Sequence, residues 1–249
     1  MEAPQNKFQK GQILLIDKPL TWTSFNVANK IKWLIKKEFN LKKIKVGHAG
    51  TLDPLATGLL VICTGKFTKR INEIQAAEKE YTGVITLGAT TPCYDLEKEV
   101  NEESPIEHIT EELIQETAKS FIGEQEQIAP IHSAKKIDGK RAYEYARNGE
   151  EVELKSNIIT IKAFDVEFCD CPEIPQIEDS KINQAPAYKK GLHIKFRIVC
   201  TKGTYIRSIA RDFGLRVNSG GHLSELRRTR IGKYKVEDSL TVDTLQNLF

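Results

Sequence analysis

The fourteen residues GHAGTLDPLATGLL, from Gly47 to Leu60, contain one carboxylate, Asp53, among glycines and small or apolar side chains. An Asp followed by Pro is common in turns, because Asp bonds its own backbone and Pro fixes the next φ. Two features favour a chemical role instead: His48 precedes the carboxylate, and three glycines permit close approach of a ligand. A buried-strand pattern follows, and loops on buried strands commonly hold reactive residues. We therefore interpret Asp53 as a candidate reactive carboxylate.

Three elements are expected to position this loop. The segment GQILLIDKP predicts a short buried strand that ends at Lys18, and GLLVICTG predicts a second buried strand. The segment TSFNVANKIKWLIKKEF predicts an amphipathic helix that is capped by Thr23 or Ser24, with Trp33 and the lysines on its outer face. Its buried face is predicted to consist of Val27, Ile31, Leu34 and Ile35.

The middle of the chain predicts two strands, two helices and a long loop. YTGVITLG at 81–88 alternates like a half-buried strand, and NIITIKAFDVEF predicts another strand. TEELIQETAKSFIG predicts a helix that is capped by Thr110 and stops at Gly123, and RAYEYARNG predicts a short helix that ends at Gly149. The Pro-punctuated segment at 171–190 predicts a mobile loop insertion.

The segment HIKFRIVC predicts a strand with one face in the core. Its inner face would consist of Ile194, Phe196, Ile198 and Cys200, and its outer face of His193, Lys195 and Arg197.

Two further helices are predicted after this strand. TYIRSIARDFG would be capped by Thr204, with Arg207 and Arg211 four residues apart on its outer face, close to the positive N-terminus. HLSELRRTR would form the second helix and carry Arg227, Arg228 and Arg230.

Together these elements predict an α+β fold with flanking helices around a mixed or antiparallel central sheet. A chain of 249 residues, 40% of them hydrophobic, can bury a full core as one large domain. The sequence shows no repeat, low-complexity tract or obvious linker, so we expect residues 1–249 to form a single domain.

The cysteine pattern argues against a metal or disulfide framework. Five cysteines are present, and the only close pair, Cys169 and Cys171, is one residue too short for a zinc knuckle. We expect five reduced thiols, no metal and no disulfide. The N-terminus lacks a signal-like apolar region and no stretch approaches 18 apolar residues, so we expect a cytoplasmic protein with no membrane partner.

The net charge of +3 conceals a strong asymmetry along the chain. Residues 1–75 carry a net charge of +8, residues 76–190 carry −11, and residues 191–249 carry +6. Such blocks can be solvated surface, or the two terminal segments can meet in one basic face. A basic face would favour a nucleic acid as partner.

Six segments resemble, in order and at similar spacing, the TruB family of tRNA pseudouridine synthases. The match runs from about Gly11 to Tyr234, and its block GH-x-GTLDP-x-ATG is highly specific. The matching segments are ILLIDKP, VGHAGTLDPLATGLLVICTGKFTK, KEYTGVITLGATTPCYD, APIHSAKKIDGKRAYEYARNGE, CTKGTYIRSIARDFG and GGHLSELRRTRIGKY.

The resemblance implies the pseudouridine synthase fold, with an active-site cleft on one face of the sheet. It implies an isomerase that converts the T-loop uridine at position 55 of tRNA to pseudouridine without a cofactor. Only about fifteen residues follow GKY, so we expect the short form that lacks the C-terminal PUA domain. We also expect the T-arm of tRNA as partner, no obligate protein partner, and a monomer.

The resemblance also implies roles for individual residues. Asp53 would be the essential carboxylate, Arg207 would hold it ionised, and Tyr81 would stack on the flipped uracil and help to remove the proton from carbon 5. The RNA-binding residues implied are His48, Tyr205, Leu226, Lys18, Lys66, Arg227 and Arg228, of which the last four would be phosphate contacts.

Several alternatives remain open. Asp53 could attack the sugar or the base, or remove a sugar proton to give a glycal. The chain could act inside a guide-RNA particle, as archaeal and eukaryotic relatives do, or be a non-catalytic RNA-binding module with the same basic face. An Asp-dependent glycosidase generally needs a second carboxylate, and none has a matching motif.

Overall fold

The computed structural model describes residues 6–131, 136–137, 140–141, 145, 154–172 and 184–248. The chain forms two compact units. The first unit consists of residues 1–81 and 227–249, and the second consists of residues 82–226. The two ends of the chain therefore belong to the same unit.

The described part of the chain contains both helices and strands. The helices are α1 (Lys7–Lys10), α2 (Ser24–Glu38), α3 (Ile71–Ala76), α4 (Glu111–Ser120) and α5 (Ile206–Arg216). The strands are β1 (Ile13–Lys18), β2 (Val46–His48), β3 (Ala56–Thr64), β4 (Lys79–Leu87), β5 (Ala89–Thr90), β6 (Glu102–Glu103), β7 (Gly123–Gln127), β8 (Lys136–Ile137), β9 (Lys140–Arg141), β10 (Asn157–Cys169), β11 (Leu192–Cys200), β12 (Gly221–Ile231), β13 (Tyr234–Lys235) and β14 (Leu240–Thr241). Short 3₁₀ helices span Gly65–Arg70, Val236–Asp238 and Asp243–Leu248.

The sheet of the first unit has the order β14-β1-β3-β12, where β12 contributes its last residues. β1 runs antiparallel to β3 and parallel to β14, while β2 pairs antiparallel with β3. β3 is buried along nearly its whole length because both of its faces are covered. One face packs with α2 in a cluster that includes Ile31, Leu60 and Ile62, and the other packs in a cluster that includes Leu59 and Val61.

The helix α2 forms as its sequence pattern predicts. The Thr23 side chain accepts a hydrogen bond from the backbone of Asn26, which confirms the predicted cap. Val27, Ile31 and Ile35 are fully buried, and Leu34 packs half-buried against the same cluster.

The sheet of the second unit has the order β12-β4-β11-β10-β7, where β12 contributes its first residues. Its strands β7, β10 and β11 are antiparallel. Aromatic rings fill its core: the Phe164 ring meets those of Phe121 and Phe213 at centroid distances of 5.6 and 5.8 Å. The sheet contains both parallel and antiparallel strand pairs, and helices flank it. This confirms the predicted α+β class with a mixed sheet.

The segment HLSELRRTR is a strand, so the helix predicted for it is wrong. Leu, Glu and Arg favour helices by local propensity, but here pairing with the neighbouring strands stabilises the extended conformation. In the second unit the backbone of Glu225 lies against Gly83 of β4, and in the first unit the backbone of Arg228 lies against Gly58 of β3. Pairing on both sides gives this segment the hydrogen bonds that a helix would have made internally.

Other predictions need correction at the level of single residues. The helix α4 has its predicted cap at Thr110 but ends at Ser120, and Gly123 instead begins β7 with φ +115°. His193, predicted on the outer face of β11, is buried, and its Nδ1 lies 3.0 Å from the Thr86 hydroxyl. A polar partner on the neighbouring strand makes this burial tolerable.

Most of the segment RAYEYARNG, for which a helix is predicted, and residues 173–183 of the predicted loop insertion at 171–190 lie outside the described residues. Of RAYEYARNG the structure describes only Arg141, which ends β9, and Tyr145. Within the described part of the chain, no helix is both long enough and apolar enough to cross a membrane.

Candidate active site

The loop that carries Asp53 connects β2 to β3 in the first unit and is fixed at its centre by α2. The Ser24 hydroxyl, at the first turn of α2, accepts from the backbone N–H of Leu52 at 2.8 Å and lies 3.1 Å from the Leu52 carbonyl oxygen, to which it donates. The backbone N–H of Ala56 donates to the Asp53 carbonyl at 3.1 Å, which closes a turn just before β3. The residue next to Asp53 is thus anchored to a buried hydroxyl.

Lys18 holds the other side of Asp53. Its side chain is fully buried, and its Nζ donates to the carbonyl oxygens of Pro19 at 2.9 Å, Trp22 at 2.6 Å and Pro54 at 3.2 Å. Burial lowers the pKa of Lys18 to about 7, and attraction to the Asp53 carboxylate opposes this shift. An ammonium has three donors and all three bond backbone carbonyls here, so the structure does not favour the phosphate contact predicted for Lys18, which stays a prediction.

Arg228 secures the start of the same loop from β12. Its guanidinium is buried and donates to the carbonyl oxygens of Leu59 at 2.8 Å and Gly50 at 3.0 Å, and its Nη1 reaches the Thr51 oxygen at 3.5 Å. The structure therefore does not favour the phosphate contact predicted for Arg228 either, and that contact also stays a prediction. A planar guanidinium with donors in several directions suits this role, because it can satisfy several carbonyls at once.

Arg227 and Lys66 remain accessible. Arg227 forms a two-pronged ion pair with Asp17, at 3.0 and 2.7 Å, and lines a cleft of about 470 Å³ together with Lys18 and Trp22. Lys66 lies exposed on the 3₁₀ helix Gly65–Arg70. The phosphate contacts proposed for these two residues stay predictions.

His48 and Tyr81 lie in the first unit, as Asp53 does. His48 lies half-buried on β2 opposite Ile62, and burial, assisted by the Arg228 cation, lowers the pKa of its imidazole. A lowered pKa keeps this ring neutral at neutral pH. Tyr81 lies buried on β4.

Arg207 lies in the second unit, in the first turn of α5, and is only 6% exposed. Its Nη1 lies 3.5 Å from the Asp95 carboxylate and donates to the Cys93 carbonyl at 3.2 Å. The exposed helix face predicted for Arg207 is therefore wrong. A long-range carboxylate partner, itself 6% exposed, allows the guanidinium to be buried, and local spacing does not reveal such a partner.

The start of α5 is organised around Tyr205. The N-cap residue is Tyr205 and not the predicted Thr204, whose hydroxyl donates to the Thr201 carbonyl at 3.0 Å. The buried Gln127 side chain accepts from the Tyr205 N–H at 2.8 Å and donates to the Tyr205 carbonyl at 3.1 Å. Gln127, like Asp95, was not identified from the sequence, since a single amide in a polar strand carries no spacing signal.

The predicted site residues are thus divided between the two units. The first unit contains Asp53, His48, Lys18, Lys66, Tyr81, Arg227 and Arg228, and the second contains Arg207, Tyr205 and Leu226. The chain passes between the units directly after Tyr81 and directly after Leu226, which is half-buried on β12.

A carboxylate on a loop whose backbone is bound by two buried cations, within an α+β fold, is consistent with the class that the sequence indicates. Residues 36–206 match the family described as TruB family pseudouridylate synthase (N terminal domain). Residues 207–249 match the tRNA pseudouridylate synthase B C-terminal domain. The chain belongs to the TruB family of pseudouridylate synthases.

Among curated proteins, the tRNA pseudouridine synthase B of Phocaeicola vulgatus is 52% identical over 237 residues, which covers 95% of this chain and 92% of that protein. The enzyme of the same name from Flavobacterium johnsoniae is also 52% identical over 237 residues, with 95% of each chain covered. A solved Cbf5-Nop10-Gar1 complex contains a chain with 29% identity and a TM-score of 0.64. The match covers 96% of this chain and 54% of that one, so this chain spans about half the length of that relative.

Proposed function

We propose that this chain isomerises the T-loop uridine at position 55 of tRNA to pseudouridine. The observation that carries the proposal is the Asp53 loop, in which a specific GTLDP block is fixed by Ser24, Lys18 and Arg228. Relatives about half identical over nearly the whole chain are named tRNA pseudouridine synthase B, which supports tRNA as the substrate.

The proposed reaction breaks one bond and forms another on the same nucleotide. The bond from ribose carbon 1′ to the uracil ring nitrogen breaks, the base turns, and carbon 1′ bonds to carbon 5. The proton of carbon 5 is lost to solvent, and the ring nitrogen gains one. The uridine must leave its stack to react, since the bond is inaccessible within a folded loop.

Asp53 supplies the carboxylate for this chemistry, either as a nucleophile toward sugar or base, or as the base that removes a sugar proton. Fixing the backbone on both sides of the carboxylate holds it in one orientation, and orientation is a large part of catalysis in such steps. The neighbouring Lys18 ammonium attracts the carboxylate electrostatically.

The remaining roles are proposals that follow from the family resemblance. Arg207 would keep the catalytic carboxylate ionised, and Tyr205 would lie next to that carboxylate. Tyr81 would stack on the uracil, and Leu226 would border it. His48 would contact the RNA where the extruded nucleotide had been, and its neutral imidazole is suited to hydrogen bonding with that nucleotide's neighbours. We also propose that the enzyme acts as a monomer on RNA alone.

Tritium release from uridine labelled at carbon 5 tests the substrate and its position. We expect one equivalent of tritium from a labelled tRNA transcript, without added metal, nucleotide or protein. A matched transcript with cytidine at position 55 should release none. Equal release from both transcripts would place the reaction at another uridine, and no release from either would remove the proposed activity on free tRNA.

A further inference from the structure

A second cleft in the first unit, of about 610 Å³, is lined by lysines from three elements. Lys32 and Lys36 come from α2, three more lysines lie at positions 42, 43 and 45, and Lys66 and Lys69 come from the 3₁₀ helix Gly65–Arg70. Of these seven side chains, only that of Lys36 is partly buried, and the other six are exposed. We call this feature the lysine cleft.

The lysine cleft has an excess of positive charge that the protein does not neutralise. No carboxylate lines it, and none of its lysines forms an ion pair with another residue in the part of the chain that the structure describes. Between residues 24 and 70 the sequence has ten Lys and Arg but only two acids, Glu38 and Asp53. Seven uncompensated cations around one cleft repel each other, so the surface is suited to an anionic partner.

The lysine cleft lies at the opposite end of β3 from the Asp53 loop. β3 begins at Ala56, beside that loop, and ends at Thr64, directly before the 3₁₀ helix that carries Lys66. The backbone N–H of Gly65 donates to the Lys45 carbonyl at 2.9 Å, which places the 42–45 segment at the same end. Eight steps of a strand at about 3.3 Å each separate the two ends by roughly 26 Å. A group in this cleft therefore does not reach the carboxylate.

An exposed aromatic ring accompanies the lysines on α2. Trp33 is 52% exposed, and the ammonium groups of Lys30 and Lys37 lie 5.3 and 5.1 Å from the centre of its ring. Trp33 directly follows Lys32 and precedes Lys36 by one helical turn. An exposed ring between cations next to a basic groove is typical of surfaces on which nucleic-acid backbone and bases are held.

We propose that the lysine cleft binds the phosphate backbone of the substrate RNA at a point remote from the reacting uridine. Lysines act as point charges, without the planar fork by which Arg selects one carboxylate or phosphate, so the cleft positions a backbone and does not read sequence. The identification of this RNA as tRNA rests on the proposed function, whereas binding of an RNA backbone does not. Since the cleft is remote from Asp53, RNA bound there must extend beyond the T-loop.

The test compares two triple variants. Lys32→Gln, Lys43→Gln and Lys69→Gln together remove one cation from each element of the cleft. The control replaces Lys98, Lys119 and Lys189, which are exposed lysines of the second unit, by Gln. Dissociation constants are measured for full-length tRNA and for an isolated T-arm hairpin over a range of salt concentrations, with tritium release from both RNAs in parallel.

For the cleft variant we expect the slope of log K against log salt with full-length tRNA to become shallower by about 2, because each lost phosphate contact removes 0.7–0.9. The Kd for tRNA should rise at least about tenfold at 0.1 M salt, and KM should rise while kcat stays unchanged. Hairpin binding and turnover should match the wild type, which also shows that the variant is folded. The control variant should behave as the wild type throughout.

Equal effects of the two variants on tRNA binding would overturn the proposal, because non-specific charge would then account for them. An equal loss with tRNA and hairpin would overturn the remote position of the contact. Vesicles of anionic lipid form a third arm: loss of vesicle binding with tRNA binding unchanged would assign the cleft to a membrane surface. Absence of tritium release from the wild type would contradict the proposed function alone, since the binding comparison stands without catalysis.

Discussion

Lys18 is the most demanding residue of the candidate site, because a fully buried ammonium replaces its water shell with three carbonyl oxygens. Those bonds join the turn after β1 to Pro54, next to Asp53. Its burial costs stability in the charged form, while its bonds and its attraction to Asp53 offset part of that cost. We interpret this loss of stability as the consequence of fixing the backbone next to the Asp53 carboxylate.

The shifted pKa of Lys18 predicts how stability changes with pH. The unfolded side chain is half deprotonated at about pH 10.5, whereas the folded one reaches that point near pH 7. The unfolded state therefore binds more protons between these values, so Lys18 makes the free energy of unfolding rise with pH across that window. Urea unfolding at pH 7 and pH 9 should show a rise in the wild type that exceeds the rise in Lys18→Met by about 2.3 kcal/mol, since one pKa unit corresponds to about 1.4 kcal/mol and the folded side chain is already half deprotonated at pH 7.

The exposed substitution Lys69→Met serves as the control and should keep the wild-type pH profile. A pH dependence in Lys18→Met equal to that of the wild type would mean that Lys18 titrates normally.

A substitution at Arg228 tests whether the Asp53 loop requires a guanidinium that donates to several carbonyls at once. Arg228→Lys keeps the cation but loses the simultaneous bonds to Gly50 and Leu59. We expect kcat for tritium release to fall by about 10²-fold with little change in KM, because a misplacement of about 1 Å has that cost. The matched change Arg230→Lys, on a partly exposed side chain of the same strand, should leave kcat within about twofold of wild type. A similar kcat for both variants would show that charge alone suffices at Arg228.

At the level of elements, the Asp53 loop depends on the close approach of β3 and β12. A Cβ on residue 58 would lie 2.3 Å from the Arg228 carbonyl oxygen, and Gly58 has φ +99°. Glycine is therefore required there by both space and conformation. The approach places the Arg228 side chain against the loop that precedes β3.

Two glycine substitutions separate the effect of space from that of conformation. Gly203 has φ +87°, but a Cβ there would meet nothing within 4 Å. Gly203→Ala should therefore cost only the conformational strain of about 1 kcal/mol, while Gly58→Ala should cost several kcal/mol and reduce turnover. Thermal midpoints of the two variants measure the difference. Equal midpoints would contradict the tight approach of the two strands.

The elements also show what local pattern can and cannot predict. β3 was predictable because a strand buried on both faces is a continuous apolar run, and α2 because its cap and apolar spacing are local. β12 was not, since its Leu, Glu and Arg residues favour a helix until strand neighbours are present. The burial of Arg207 depends on Asp95, which lies more than a hundred residues away in the chain. The role of Asp53 came from the resemblance of its segment to a family, and not from periodicity.

At the scale of the whole molecule, the two units differ in the sign of their net charge. Residues 1–81 and 227–249 carry 19 Lys and Arg against 10 Asp and Glu, a net charge of +9, whereas residues 82–226 carry 18 against 24, a net charge of −6. The expected meeting of the basic terminal segments holds for residues 227–249, which share the first unit, while residues 191–226 belong to the second. The overall charge of +3 is therefore the sum of a strongly basic first unit, which is the candidate RNA-binding unit, and an acidic second unit.

This charge distribution predicts a salt-dependent association step. Raising salt from 50 to 200 mM should raise KM for tRNA by at least about tenfold, since phosphate contacts release counterions, and should leave kcat unchanged. Initial rates of tritium release over this range provide the measurement. A KM that is independent of salt would contradict electrostatic capture of the RNA.

Single-turnover tritium release by Asp53→Asn tests whether Asp53 performs the chemistry. Asp238→Asn is the matched control, because Asp238 is exposed in the same unit. We expect the control to release one equivalent at the wild-type rate and Asp53→Asn to release none, with both proteins binding tRNA with wild-type affinity. Release by Asp53→Asn at a rate near that of the control would show that Asp53 is not the catalytic carboxylate.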